Sequence, residues 1–142
     1  MKSFAAISLI LAGCTTAIEQ PTLLAEVLDD SSAHHDKAIR VCGLLVDGIE
    51  QCSLWEHAGT PLPDTPGAFI PPGIAWLAVP GERCAPGNNN PMGGDPPVTM
   101  WVVVSGIFQT GERYGHLDEY DHQIVVEKIE PSSFMCGRQG GT

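Results

Sequence analysis

The sequence predicts a mainly β domain, a small closed barrel of five strands preceded by one short α-helix. Three observations lead to this prediction. Several short apolar segments carry the two-residue alternation of strands, and turn-forming residues separate them. Glycine interrupts two of these segments, at Gly43 and Gly106, where a strand that curls through a small barrel has to bend. Residues 22–30 instead place apolar side chains on one face of a helix.

The predicted helix occupies the segment TLLAEVLDD, residues 22–30. Thr22 is expected to cap its N-terminus, because a threonine hydroxyl can accept a backbone N–H there. The polar segment SSAHHD that follows is expected to end the helix. The apolar face has i, i+1, i+4, i+5 spacing and consists of Leu23, Leu24, Val27 and Leu28.

Two strands joined by a tight turn follow the helix. Residues 39–46 predict a strand with one buried face and one partly covered face, and residues 49–55 predict its return. Asp47 and Gly48 stand between them and predict a hairpin turn, because both residue types accept positive φ.

The segment 58–97 is rich in proline. It holds ten of the 12 prolines, which largely excludes regular strand pairing. One apolar run inside it, residues 74–79, is short enough to be a strand between two loops. Loops as long as these are usually functional or disordered. After them, residues 98–109 and 123–129 predict two more strands, and Pro131 is expected to end the pairing.

The order of these motifs resembles a known fold family. A helix, an IxVxGxL strand, a hairpin, a long loop, a VxVxGxF strand, a GHxxxY loop and a last strand are similar to small exported bacterial proteins with an oligonucleotide/oligosaccharide-binding (OB-type) barrel. The resemblance covers residues 22–130 and implies a fold more than an activity. The aromatic and basic surface that binds single-stranded nucleic acid is missing. The residues that carry the resemblance are Val41, Gly43, Leu45, Val102, Val104, Gly106, Phe108, Gly115, His116 and Tyr120.

The N-terminal segment MKSFAAISLILAGC places one basic residue, Lys2, before a short apolar run. The run is shorter than the roughly 20 apolar residues that cross a bilayer as a helix, and it is typical of an export signal. The tetrapeptide Leu11–Ala12–Gly13–Cys14 resembles the lipobox of bacterial lipoproteins. That resemblance implies that Cys14 receives a diacylglyceryl group and that the chain is cut before it. The alternative is an ordinary cysteine in a signal or an N-terminal helix.

On the lipoprotein interpretation the chain has four parts: a signal peptide at 1–13, a lipidated tether at 14–21, the barrel domain at 22–130 and a tail at 131–142. We expect the protein in the bacterial cell envelope, attached to a membrane by its lipid. Thr15 stands where, in the enterobacterial version of the family, an Asp retains the protein at the inner membrane. The resemblance therefore implies the outer membrane, on the side that faces the periplasm.

The charge of the chain limits its partners. Cleavage before Cys14 removes Lys2 and leaves six basic residues against 17 acidic ones, a formal net charge of −11. Nucleic-acid binding depends on Lys and Arg side chains that neutralise phosphates, so we expect no nucleic-acid partner. The acidity also disfavours adsorption to anionic lipid headgroups, and attachment therefore depends on the lipid anchor. A solvated acidic surface explains the charge better than an acidic ligand site does.

Four cysteines remain when Cys14 carries lipid: Cys42, Cys52, Cys84 and Cys136. In an oxidising periplasm they can form two disulfides with three possible connectivities. Their spacing contains no C-x-x-C, which counts against a zinc knuckle or a thioredoxin-like pair. We expect Cys52–Cys84 and Cys42–Cys136, because the proline-rich loop and the tail are where a covalent bridge helps most.

Two polar segments are candidates for a site. GHLDEYDH, residues 115–122, is the candidate binding loop, through His116, Asp118, Tyr120 and His122. Imidazole and carboxylate together suit Zn²⁺ or Cu²⁺, so His116 and His122 are candidate metal ligands; the alternative is a turn that His116 and Tyr120 stabilise by hydrogen bonds. His34–His35–Asp36 is expected to cap the helix and connect it to the first strand rather than to bind a metal, because adjacent residues do not converge on one ion.

The sequence contains no recognisable catalytic or cofactor-binding motif. It has no nucleophile elbow, zincin motif, P-loop or dinucleotide-binding glycine pattern. We expect a non-enzymatic module without a cofactor that binds an envelope protein or a small ligand through the proline-rich loops and residues 115–122. The alternative is a metal-binding envelope protein, and the third hypothesis is a hydrolase with an unrecognised site. Trp55, Trp76 and Trp101 are expected to pack in the core or at a barrel end, with a sugar-stacking platform as the alternative.

Overall fold

A computed structural model describes residues 20–49, 51–56, 73–81, 84–87, 97–133 and 136 of the chain. Within these residues the protein is mainly β, as predicted. The strands are β1 (Thr22–Leu23), β2 (Lys37–Gly48), β3 (Gln51–Trp55), β4 (Ile74–Ala78), β5 (Val98–Tyr114) and β6 (Tyr120–Pro131). The helical segments are α1 (Leu24–Asp29), α2 (Ser31–His34) and a 3₁₀ turn (His116–Asp118).

The described strands form one mixed sheet in the order β1-β2-β3-β4-β6-β5, and β5 also pairs with β2. The β2–β5 pairing is antiparallel and runs from Lys37–Phe108 to Asp47–Val98. It makes a ring through five of the six strands, with β1 outside the ring as a parallel neighbour of β2. Within the ring β4 and β6 are parallel, and the other neighbours are antiparallel.

The first helical segment differs from its prediction. Thr22 and Leu23 belong to β1 because they pair with β2, which raises the strand count in the described residues from five to six. Helix α1 begins at Leu24, two residues after the start of the predicted segment, and its N-cap is Leu23 rather than Thr22. The Glu26 carboxylate accepts a hydrogen bond from the backbone N–H of Leu23 at 3.4 Å. The polar segment SSAHHD was expected to end helical structure, but its first four residues, Ser31–His34, form the second helical segment α2.

Both strand glycines lie at positions that a side chain cannot occupy. A Cβ on Gly106 would overlap the carbonyl oxygen of Val125, and the register between β5 and β6 shifts beside it. A Cβ on Gly43 would lie 2.7 Å from Cγ of Leu54. Gly43 also separates the part of β2 that pairs with β1 from the part that pairs with β3. The register shift beside Gly106 is the kind of irregularity that a glycine inside a strand indicates.

The main core lies on the inner face of the ring. Paired residues face the same side of a sheet, and the row Leu45–Leu54–Ala75 crosses β2, β3 and β4 on this face. Helix α1 adds the buried side chains of Leu24 and Val27. Each fully buried large side chain contributes roughly 1.5–3 kcal/mol, so this core dominates the stability. Its other fully buried members include Val41, Val102, Val104, Phe108 and Ile124.

A second apolar cluster covers the outer face of β2, β3 and β4. The alternate residues of the same strands form its rows, Val46–Ser53–Trp76 and Leu44–Trp55–Ile74. Tyr114 and Tyr120, from the ends of β5 and β6, pack into this cluster. The end of the β5–β6 hairpin therefore folds back over the outside of the sheet.

The hairpin turn predicted at Asp47–Gly48 is wrong. Both residues belong to β2, where Asp47 pairs with Cys52 and Gly48 pairs with Gln51, so they are strand residues and not turn residues. Asp47 is only 5% exposed, and its Oδ2 accepts the backbone N–H of Ala85 at 3.1 Å. A buried hydrogen bond to a segment 38 residues away thus outweighs the local turn preference of Asp-Gly.

The two disulfides connect the cysteines as predicted. Cys42 pairs with Cys136 and Cys52 pairs with Cys84, with Cα–Cα separations of 5.6 and 5.7 Å. The first bridge ties Cys136 to β2, and the second ties residues 84–87 to β3. Loop closure of these lengths stabilises the fold by about 3–5 kcal/mol per bridge on the chain-entropy model. Segments with little regular structure are therefore fastened covalently to the sheet.

Candidate functional site

The predicted binding loop forms the end of the β5–β6 hairpin. Both strands are longer than predicted and continue toward the loop through the pairs Thr110–His122 and Tyr114–Tyr120, with a register shift between them. We call residues 113–122 the hairpin tip. It contains the four predicted residues His116, Asp118, Tyr120 and His122, which have different surroundings.

The apex of the tip has an unusual backbone. Gly115, Leu117 and Asp118 all have positive φ, at 77°, 57° and 55°. This conformation costs roughly 1–2 kcal/mol for a residue with a Cβ, and leucine has no side-chain hydrogen bond to offset the cost. Leu117 is also 64% exposed, so burial does not compensate for it either. The tip therefore presents an apolar side chain to solvent in a strained conformation.

Arg113 holds the apex in place. Its Nε donates to the carbonyl oxygen of Asp118 at 2.9 Å, and its Nη2 donates to the carbonyl oxygen of Glu119 at 3.1 Å. Its Nη1 forms an ion pair with the Asp121 carboxylate. One guanidinium thus joins both sides of the tip, using the fixed fork geometry that distinguishes arginine from lysine.

Tyr120 attaches the tip to the outer face of the sheet by packing against Trp76 of β4. It is 4% exposed, and its ring lies 5.2 Å from that of Trp76 between centroids, with the planes tilted by 50°. A Cβ on Gly115 would lie 2.7 Å from Tyr120 and 2.8 Å from Trp76, so only glycine lets the backbone approach these rings. Burial raises the pKa of Tyr120 above its usual 10.0, although hydrogen bonds from Ser53 and Gln51 oppose the shift.

Ser53 is the hydrogen-bonding centre beneath Tyr120. Its Oγ accepts Nε1–H of Trp55 at 2.8 Å and Nε2–H of Gln51 at 3.0 Å. A hydroxyl has two acceptor sites and one hydrogen, so the acceptor sites of Ser53 are occupied and its own hydrogen remains for the neighbouring Tyr120 phenol, whose pKa Ser53 lowers. Ser53 is fully buried, and this network gives it a structural role in anchoring the tip.

The two histidines of the loop lie in different environments. His122 is half-buried, stacks on Phe108 with a centroid distance of 5.6 Å, and places Nδ1 2.9 Å from the Thr110 hydroxyl. Burial lowers its pKa from 6.5, and the nearby Asp121 opposes the shift. His116 lies at the exposed apex. Among the described residues, no three His, Cys, Asp or Glu side chains are grouped as a metal site requires.

The His34–His35–Asp36 segment connects α2 to the sheet, as expected. His34 ends α2, and Nδ1 of His35 accepts the backbone N–H of Thr110 at 3.1 Å. The backbone N–H of Asp36 donates to the carbonyl oxygen of Phe108 at 2.8 Å. These contacts attach the start of β2 to β5.

Several predicted features lie outside the described residues. They include the lipobox residues 11–14 and most of the proline-rich segment between 57 and 96. Within the part of the chain that the structure describes, no helix has the length and apolar composition needed to span a bilayer.

Sequence reasoning missed Arg113, Leu117, Gln51 and the role of Ser53. One available signal was the position of Arg113, a single cation beside the acidic run DEYD in a chain with few cations. The contribution of Gln51 and Ser53 had no local signal, because it depends on the hairpin folding over β3.

No protein-family model, curated protein or solved structure matches this chain.

Proposed function

We propose that this protein is a lipid-anchored binding module of the bacterial cell envelope and that its hairpin tip contacts a partner protein. The main support for this proposal is the exposed apolar side chain of Leu117, which lies on an apex that is strained but firmly held. Arg113 and Tyr120 hold that apex in one conformation from two sides. Little conformational entropy is therefore lost when the apex binds a partner.

A protein partner accounts for this arrangement better than a metal ion does. A metal site needs several converging ligands, whereas His122 points into the domain toward Phe108 and Thr110. An exposed aliphatic side chain on a rigid, protruding apex is suited to fill an apolar pocket on a partner protein. In our proposal Leu117 is that side chain and anchors the contact.

We infer further that the ring of strands is an OB-type barrel. Two features support this: the ring has five strands, and β5 is inserted between β6 and β2, as in a Greek-key barrel. In addition, two of its strands carry glycine where a Cβ would clash with the neighbouring strand, a close approach that a small barrel favours. The additional strand β1 lies outside the ring and is compatible with this assignment.

The lipid anchor of this proposal is supported by the Leu11–Cys14 tetrapeptide after a short apolar run. Its test is mass spectrometry of the native protein and of a Cys14→Ser variant produced in a bacterium. We expect the native chain to begin at a diacylated cysteine and to sediment with membranes. The serine variant should retain residues 1–13 and carry no lipid. An unmodified native Cys14 contradicts the anchor while leaving the role of the hairpin tip open.

The role of the tip is tested by a photo-crosslinking amino acid placed at position 117 of the full chain in intact cells. We expect one discrete protein adduct, because a defined anchor meets a defined pocket. The matched control is the same probe at Glu127, an exposed position of β6 outside the tip. An additional Arg113→Ala substitution should weaken the adduct at least several-fold by loosening the apex. The same adducts from both positions, or none from position 117, contradict the proposal.

A further inference from the structure

An exposed apolar row crosses the outer face of β2, β5 and β6. Ala38 on β2 pairs with Ile107 on β5, and Ile107 pairs with Val125 on β6. All three residues are exposed, and the two larger side chains keep 38% and 41% of their surface accessible. Because paired residues face the same side of a sheet, the row is one continuous strip of apolar groups in contact with water.

A polar row with a negative charge lies on one side of this strip. Nε2 of Gln123 donates to Oε1 of Gln109 at 2.6 Å, and Nε2 of Gln109 donates to Oδ1 of Asp36 at 3.3 Å. Nε2 of His35 lies 3.2 Å from the other carboxylate oxygen of Asp36. Asp36 is thus held in place, yet its side chain is 63% exposed and its oxygens have acceptor sites for a further donor.

A polar row with a positive charge lies on the other side of the strip. Arg40 on β2 pairs with Ser105 on β5, and Ser105 pairs with Lys128 on β6. Nζ of Lys128 donates to Glu130 at 2.8 Å, and this bond, with the charges of Lys128 and Arg40, lowers the pKa of the Glu130 carboxyl. Two cations beside one carboxylate leave this side positive, although the full chain has a formal net charge of −10.

The two polar rows are complementary under a two-fold rotation. Arg40 lies two residues after Ala38, and Asp36 lies two residues before it. A second copy turned over about an axis along the apolar row therefore places its Asp36 opposite Arg40 and its Arg40 opposite Asp36. The same rotation places the apolar row against itself, at the spacing of about 10 Å that separates packed sheets. The pairs formed between the copies are Arg40–Asp36, Ser105–Gln109 and Lys128–Gln123.

We propose that this face binds a second copy of the chain and forms a symmetric dimer. A two-fold interface uses the same surface on both copies, so each favourable contact occurs twice. A partner of one charge would match only one of the polar rows, whereas a second copy matches both. The face contains neither Leu117 nor Arg113, so the dimer is separate from the proposed contact of the hairpin tip and does not depend on it.

The size of the face predicts a weak dimer. Three strands about 4.8 Å apart and three rows about 7 Å apart give a footprint of roughly 15 by 20 Å on each copy. Toward β4 the face ends at Trp76, against which the hairpin tip packs. Such a contact buries less than the lower limit of standard interfaces, about 1,200 Å² in total. We therefore expect a dissociation constant of about 10 μM to 1 mM.

Sedimentation equilibrium of the full chain, in a detergent whose density matches that of the buffer, tests the dimer. We expect the wild type to dimerise reversibly. Val125→Glu should weaken the association at least tenfold, because it brings two carboxylates together beside the axis. Ile49→Glu is the matched control and should leave the association unchanged, since Ile49 is 56% exposed and lies beyond the end of β2, outside this face.

Two charge reversals test the symmetry itself. Arg40→Asp places a carboxylate opposite Asp36, and Asp36→Arg places a guanidinium opposite Arg40, so each variant alone should dimerise at least tenfold more weakly than the wild type. An equimolar mixture of the two variants should regain the association. In the mixed dimer the carboxylate introduced at position 40 faces the guanidinium introduced at position 36, and the other contact is the native pair.

Thermal melting shows whether each variant is folded. If a reversal variant melts at a lower temperature than the wild type, the comparison of Val125→Glu with Ile49→Glu decides. The proposal is overturned if the wild type is monomeric at about 1 mM, which is the weakest affinity expected. Equal association of Val125→Glu and Ile49→Glu overturns it too, as does a mixture of folded reversal variants that associates no better than its components.

Discussion

The ring of strands has two contrasting outer surfaces. On β2, β3 and β4 the outer face is buried, since the hairpin tip lays Tyr120 against Trp76 over the Ser53 network. On β2, β5 and β6 the outer face stays open. It carries the hydrogen-bonded side chains of Gln123, Gln109 and Asp36 beside the exposed Ile107 and Val125. One sheet thus has an outer region whose apolar groups are covered by its own chain and another whose apolar groups face solvent.

The difference shows what each surface is suited to do. The covered surface uses aromatic side chains, and no buried side-chain nitrogen or oxygen of the described residues lacks a hydrogen-bond partner, which favours stability. The open surface uses amides that are fixed but only partly satisfied, together with aliphatic groups in contact with water. The first surface is therefore built for stability, whereas the second keeps polar and apolar groups accessible.

The largest effect that tests this comparison is expected from Tyr120→Ala on the covered surface. The substitution removes a buried aromatic ring and leaves Ser53 and Gln51 without their phenol partner, so the free energy of unfolding should fall by about 3–5 kcal/mol. Urea denaturation measures the loss. The Tyr120→Phe variant is the matched control and should lose only about 1–2 kcal/mol, because it keeps the ring and removes only the hydroxyl that faces Ser53 and Gln51. Equal and small losses would mean that the tip does not depend on this anchor.

Parts of this arrangement were predictable from sequence because they depend on local patterns. The glycines of the V-x-G motifs predicted the strand bends, since only glycine fits where another strand approaches so closely. The turn at Asp47–Gly48 was predicted wrongly because Asp47 is committed to Ala85, a contact that no local pattern reveals. Predictions based on nearby residues hold here until a distant segment competes for the same group.

The site itself was predictable only in outline. The segment GHLDEYDH identified the loop, but its roles depend on contacts across the fold, such as that of Tyr120 with Trp76, 44 positions earlier in the chain. The hydrogen bond between Gln109 and Gln123 is harder still to predict, because it depends on how β5 and β6 pair after the register shift beside Gly106. Two glutamines at positions 109 and 123 give no signal of adjacency in the sequence alone.

A smaller effect is expected from His122, which stacks on the core residue Phe108 near the end of the hairpin. Burial lowers its pKa in the folded protein below the 6.5 of the free side chain, so below that pH the unfolded state takes up the proton more readily. Stability contributed by the neutral imidazole is therefore complete above about pH 6.5 and declines as the pH falls toward the folded-state pKa.

Urea unfolding at pH 7.5 and pH 5.5 tests whether the free energy of unfolding falls on acidification, as expected for His122. The wild type should lose more stability on acidification than a His122→Gln variant, because the variant lacks the buried imidazole. His34→Gln, at the end of α2, serves as the control and should respond to pH as the wild type does. A wild type that becomes relatively more stable than His122→Gln at pH 5.5 contradicts the assigned direction.

The smallest effect is expected on the open surface, from Ile107→Thr. Threonine keeps the β-branched shape that suits a strand, and the side chain is 38% exposed, so the free energy of unfolding should change by less than about 1 kcal/mol. Ile124→Ala is the comparison, because Ile124 is fully buried on the neighbouring strand and its truncation should cost about 2–5 kcal/mol. Urea denaturation of both variants measures the difference. A large loss from Ile107→Thr would mean that Ile107 is held by intramolecular packing, and the open surface would then be part of the core rather than a surface for a partner.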